Sequence, residues 1–151
     1  MPTIGATDYR SGAKERLDES YILLLEERFG GSAYLAGRAV EGMLRGLVWR
    51  HDPDYPAGRK RLETGHGLRD LFKLVSNLGV VLEDQDEVPE DVQKVAMLWT
   101  NNMRFLPTGK VAKTWFERRE IGKRRTMKRA AQDFYNLCSG IIQRCEVLWK
   151  D

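Results

Sequence analysis

The densest run of chemistry-bearing side chains in this sequence is cationic. Between Arg104 and Arg129 stand ten bases, Arg104, Lys110, Lys113, Arg118, Arg119, Lys123, Arg124, Arg125, Lys128 and Arg129, against two acids, Glu117 and Glu120. Clustered Lys and Arg neutralise phosphates and release condensed counterions, so the stretch reads as a phosphate-backbone footprint, with Arg118, Arg119, Lys123, Arg124 and Arg125 as binding candidates. A solvated helix face has the same composition. So does a segment that pairs with acids within or between chains, and Glu83, Asp84, Asp86, Glu87, Glu90 and Asp91 form an acidic stretch with no base among them. Elsewhere Arg38, Glu41 and Arg45 share one polar edge, and the i,i+4 spacing of Glu41 and Arg45 predicts an ordinary helix-surface ion pair.

Other chemistries find little support. The two histidines and two cysteines have no metal-ligand spacing, so no metal site and no cofactor is expected. There is no Walker loop and no dinucleotide-type glycine fingerprint, because the glycines follow helical patterns instead of joining a strand to a helix. The segment Glu83-Asp84-Gln85-Asp86-Glu87 lacks the glycine and the terminal glutamate of a calcium-binding loop. Cys138 and Cys145 stand seven apart in a helical pattern, about 10 Å along the axis, too far to bridge; they read as free thiols packed as small apolar residues.

Helices must carry these groups. The first apolar stripe, Ala13, Leu17, Tyr21, Leu24 and Leu25, predicts a helix over about 11–28 that Gly30-Gly31 stops. The second, from near Ser32, runs through Ala33, Ala36, Gly37, Val40, Met43, Leu44, Leu47 and Val48, and its small residues admit a close neighbour. It ends before Pro53 and Pro56. Thr64 is a fitting N-cap for a third, with Leu68, Leu71, Phe72, Val75 and Leu78 inward and Gly79 at its end. Pro89 opens a fourth, with Val92, Val95, Ala96, Trp99 and Met103 on its stripe and Pro107-Thr108-Gly109 closing it. Thr114-Trp115-Phe116-Glu117 has the form of a capping box for a further short helix. The longest runs from about Thr126 to Trp149 with Met127, Ala130, Ala131, Phe134, Leu137, Cys138, Ile141, Cys145 and Leu148 on one face. The expected fold is all-α: one domain over residues 1–151, an antiparallel up-and-down bundle of about five helices. Tyr34 and Trp99 lie on apolar stripes and read as core or dimer-interface aromatics.

At 151 residues, with 42% hydrophobic and 31% charged, the chain can bury its own core. Its longest apolar run, Tyr21–Leu25, falls far short of the roughly 18 to 20 residues that cross a bilayer, so no membrane association is expected. The first seven residues lack the basic start and apolar stretch of a signal peptide, which predicts a cytoplasmic location.

Several segments, taken in order, resemble the HEPN family, the "higher eukaryotes and prokaryotes nucleotide-binding" helical bundles. Asp8-Tyr9-Arg10, Ala13 with Arg16-Leu17, and Ala33-Tyr34-Leu35-Ala36-Gly37-Arg38-Ala39-Val40-Glu41 through Leu47 are similar to the first two helices of that family. Gly65-His66-Gly67-Leu68-Arg69-Asp70-Leu71 resembles its His-Asp-Leu helix start, and Trp99 through Pro107 its Trp…Arg-Tyr segment. The resemblance implies an antiparallel bundle, commonly a homodimer, often beside a nucleotidyltransferase partner in toxin–antitoxin or defence pairs. A nucleotide- or RNA-binding module is the leading functional expectation.

Some family members are metal-independent ribonucleases that carry Arg, four to six residues, then His. In such a pair the histidine moves a proton at the ribose 2′-hydroxyl and the arginine neutralises the scissile phosphate. Arg61 and His66 have this spacing, which makes them the catalytic candidates of an endoribonuclease. They precede the third helix instead of standing in the late basic stretch, which has no histidine, so the favoured reading of His66 is that it orders a helix start or packs against a neighbouring chain. His66 and Arg104 fall at adjacent helix ends of the expected bundle and are candidates to bound one polar pocket. A structural oligomerisation or adaptor domain is the third expectation.

Overall fold

The computed structural model describes residues 4–52, 54, 67–77, 88–117 and 126–149. Among these every element is helical: α1 (Ala6–Leu25), α2 (Phe29–His51), α3 (Leu68–Asn77), α4 (Val88–Leu98), a 3₁₀ turn (Asn101–Phe105), α5 (Thr108–Glu117) and α6 (Met127–Leu148). Most residues of the apolar stripes are buried where these helices meet, although Tyr21 and Leu25 of the first are exposed, so the all-α bundle read from periodicity is the fold, with six α-helices among the described residues instead of about five. Thr64, Leu78 and Gly79 lie outside the described residues.

The central element is α2, which packs against α1, α3, α5, α6 and the 3₁₀ turn. Ala36, Ala39, Val40, Met43 and Leu47 are fully buried, and small residues let its neighbours come close. Against α1 the contact is fixed by a reciprocal clasp: Ser20 Oγ donates to the Ser32 carbonyl at 2.7 Å, and Ser32 Oγ to the Ser20 carbonyl at 2.8 Å. Both serines are buried, so each hydroxyl satisfies itself on the facing backbone.

The first helix does not end at the expected glycines. It stops at Leu25 because Glu27 takes a left-handed conformation (φ 59°), with Arg28 N–H donating to the Leu23 carbonyl at 2.8 Å and Glu27 N–H to that of Leu24 at 3.1 Å. Gly30 and Gly31 instead open α2, where Gly30 N–H donates to Thr108 Oγ1 at 3.1 Å and a Cβ would stand 2.7 Å from that oxygen. Close approach explains the glycine there. Since a side chain in the left-handed region costs about 1 kcal/mol that glycine avoids, Glu27→Gly is expected to raise the melting temperature by about 3 °C. The exposed Lys128–Glu27 pair lost with it, at 3.6 Å, offsets little of this.

Helix four also ends earlier than its stripe. The fourth helix closes at Leu98, and Trp99 and Met103 are buried from the segment that follows. Pro107-Thr108-Gly109 opens a helix rather than closing one, because the Pro107 carbonyl accepts from Lys110 N–H (3.0 Å) and Val111 N–H (3.2 Å). Thr114 therefore sits inside α5, where its hydroxyl donates to the Lys110 carbonyl at 3.0 Å instead of capping a new helix. Trp115 of α5 donates its indole N–H to the Leu98 carbonyl at 2.8 Å and packs on Phe134 of α6, ring centroids 5.0 Å apart.

In α6 the Thr126 side chain accepts from Arg129 N–H at 3.2 Å and caps the helix, whose start agrees with the one expected near Thr126. Cys138 and Cys145 are buried free thiols, and burial pushes the Cys145 thiol up to about 12. At the far end Trp149 is buried between the Arg10 and Arg50 guanidiniums, 5.2 and 5.5 Å from its ring centroid. Glu146 holds Arg10 and Lys14, and the hydrogen bond from Arg10, with Lys14 adding to it, keeps its carboxyl below the usual glutamate range. A depressed carboxyl contributes stability above its unfolded value of about 4.3 and loses it as pH falls through the folded one. Glu146→Gln should therefore melt below the parent at pH 7, and the gap should close as the pH falls through the lowered folded value of the carboxyl.

Candidate ligand-binding cleft

Helices α1 and α2 are antiparallel neighbours joined by a three-residue turn, and their polar edges face one another above the apolar seam. Asp8, Tyr9, Gly12, Ala13 and Arg16 recur at the steps of one α1 face, while Arg38, Glu41, Gly42 and Arg45 do so on α2. Between them opens a cleft of about 530 Å³, completed by Asn101 from the 3₁₀ turn and by Ile4 at its mouth.

Three guanidiniums line it. The Glu41 carboxylate lies between two of them, paired with Arg38 and with Arg45, the latter at 3.2 Å. Arg38 also donates to Asn101 Oδ1 at 3.4 Å. The side chains of Glu41 and Arg45 are only 9% and 10% exposed, so the expected helix-surface pair is in fact a buried one. The reason is α1, which covers this edge of α2. Arg38 is far more open, at 45%, and Arg16 is gripped by Glu19 at 2.7 Å in a pair whose members are 41% and 47% exposed. Such solvated pairs exchange partners at little cost. Asp8 is turned toward the chain itself, its carboxylate accepting from Gly5 N–H at 2.7 Å.

Among the described residues its polar lining is arginine, carboxylate, tyrosine and amide side chains, a set suited to recognising an anion. Guanidinium forks match phosphate and carboxylate oxygens in plane, which makes an anion the natural guest. Among the described residues no group of three His, Cys, Asp or Glu side chains is placed to hold a metal ion. A second cavity, about 60 Å³ beneath the 3₁₀ turn between Leu98, Met103 and Trp115, has room for little more than water.

The residues singled out from sequence fall elsewhere. Arg61, His66, Arg118, Arg119, Lys123, Arg124 and Arg125 lie outside the described residues. Arg104 is exposed on the 3₁₀ turn, its guanidinium 4.5 Å over the ring of Phe105, and it does not line the cleft although Asn101 of the same turn does. Of the other bases in that stretch, Lys113 pairs with Glu117, Lys128 with Glu27 and Arg129 with Asp133, and all three cations are largely exposed. Tyr34 is half-buried and stacks on buried Trp99, centroids 6.1 Å apart, as core aromatics do.

Arg16, Tyr9, Gly12 and Asn101 were not singled out as binding residues by the sequence. The signal available was the polar edge of positions 8, 12 and 16, which matches the edge at 38, 41 and 45 once the two helices are paired. Comparison with family models, curated proteins and solved structures finds no match to this chain. No helix among the described residues is long and apolar enough to cross a membrane.

Proposed function

We propose that this chain is a HEPN-type binding module that holds a phosphate-bearing ligand, a nucleotide or a stretch of nucleic acid, in the α1–α2 cleft, as a homodimer or beside a nucleotidyltransferase partner. The observation that carries the reading is the convergence of Arg16, Arg38 and Arg45 from two helices on one cleft of about 530 Å³, within the usual range for a ligand site. Two features agree with it. Arg16 and Arg38 are the exposed members, available to incoming oxygens, while buried Glu41 stations Arg38 and Arg45 beforehand.

Titration of ATP and of a short RNA into the purified protein tests the reading. Arg38→Ala and Arg16→Ala should each weaken binding by about tenfold or more, the ordinary worth of one charge-assisted hydrogen bond. Affinity for the RNA should fall steeply with salt. Unchanged affinity in both variants would sink the assignment of the cleft.

A further inference from the structure

Glycine is a poor helix residue, so each one inside a helix needs a reason. At Gly30, Gly37 and Gly46 the reason is contact: an added Cβ would come within 2.7 Å of Thr108, 2.1 Å of Trp99 and 3.0 Å of Trp149. Gly12, in the interior of α1, has no such neighbour; a Cβ there meets nothing within 4 Å. Of the two mid-helix glycines in open space, Gly12 and Gly140, Gly12 is the one that borders the cleft. Packing therefore does not require a glycine at position 12, and a side chain placed there would stand at the border of the cleft.

On α2 the cleft is bordered by Gly42, which faces Ala13 and Tyr9: an added Cβ would lie 3.6 Å from Ala13 Cβ and from the Tyr9 carbonyl. Gly12, Ala13 and Gly42 thus give the cleft a floor of backbone and one methyl, with the Tyr9 side chain beside it. The arginines have a fixed place relative to this floor. Arg16 is four residues beyond Gly12, and Arg38 four residues before Gly42. Because the helices are antiparallel, both lie about 6 Å, one turn, toward the same end of the cleft. A floor without large side chains and two arginines one turn away suit a guest with a flat body and one anionic end.

Resting on the binding-module reading, we propose that the cleft takes a single small planar anion, an aromatic ring lying on the Gly12–Gly42 floor with its phosphate on Arg16 and Arg38, rather than the backbone of a polymer. The ring supplies affinity through stacking and burial, and the phosphate supplies orientation. Position 12 then sets specificity: a side chain there fills the place of the ring and leaves the arginines untouched.

The test uses the full chain and four probes: AMP, ribose 5-phosphate, inorganic phosphate and an RNA hexamer, each titrated against the parent, Gly12→Leu and Arg38→Ala. AMP should bind at least tenfold more tightly than ribose 5-phosphate. Gly12→Leu should lose that tenfold while keeping the parent's affinity for ribose 5-phosphate and, having no clash to make, a melting temperature no lower than the parent's. Equal binding of AMP and ribose 5-phosphate would overturn the inference, as would undiminished AMP binding by Gly12→Leu or a hexamer that displaces AMP and binds more tightly. If phosphate compounds bind in a way that needs Arg38 but ignores position 12, the planar-anion inference falls and the binding module stands. If none of the four probes binds, both fall.

Discussion

Gly37→Ala is expected to destabilise the protein by about 3 kcal/mol and to lower the urea midpoint by about 1.5 M. The methyl would stand 2.1 Å from Trp99 Cδ1, 2.3 Å from Cγ and 2.4 Å from Nε1, so the indole must leave its place. It has no easy way to do so: its N–H donates to the Tyr34 carbonyl at 3.0 Å, one face stacks on Tyr34, and the residue is 6% exposed. Overpacking costs about 1–3 kcal/mol and an abandoned buried N–H about 1–3 more, while Ala in place of Gly returns about 1 through helix propensity. The loss dominates. A midpoint that stays put or rises would show that Trp99 can move freely. Combining the change with Trp99→Ala should restore part of the stability lost relative to Trp99→Ala alone, the mark of a direct contact. The effect should also reach the cleft, since Trp99 lies two residues before Asn101, and Asn101 accepts from Arg38.

That contact illustrates what the sequence made legible. The stripe Ala33, Ala36, Gly37, Val40, Leu44, Leu47 announces a buried helix with a close neighbour, and α2 is that helix; which neighbour meets Gly37 depends on tertiary packing that periodicity does not encode. Boundaries failed where a local signal had a tertiary use. Gly30-Gly31 reads as a stop, yet the glycine is there for Thr108, seventy-eight residues away in sequence. The break itself belongs to Glu27, a residue type that gives no warning of a left-handed conformation. The site was obscured for a similar reason. Arg38, Glu41 and Arg45 form a recognisable i,i+3,i+7 edge, and a lone helix would leave it in water; only its pairing with the Gly12–Arg16 edge of α1 turns a surface ion pair into the wall of a cleft. Charge density pointed instead to the run ending at Arg129, whose described members at 113, 128 and 129 are solvated helix pairs.

Glu41→Gln carries the second large effect, and it joins stability to binding. In the parent one carboxylate serves two guanidiniums, Arg38 and Arg45, with its own side chain 9% exposed. Removing its charge while keeping its size leaves the buried Arg45 guanidinium and the more exposed Arg38 facing a neutral amide. Breaking a buried ion pair from one side costs about 3 kcal/mol, and a urea midpoint within error of the parent's would contradict the pairing. The variant should also regain stability from an added anion. With Glu41 neutral the cleft lining loses one of its two carboxylates and keeps three arginines, so inorganic phosphate should bind it more tightly than the parent and stabilise it more at equal concentration. A melting-temperature rise with phosphate that is larger in Glu41→Gln than in the parent, and absent when Arg38→Ala is added, identifies these guanidiniums as the anion's holders. An equal rise in all three proteins would assign the effect to the general surface. On the proposed binding reading, Glu41 stands in for the guest's charge: its pairs with Arg38 and Arg45 hold both guanidiniums in position, and an incoming anion has to compete with it.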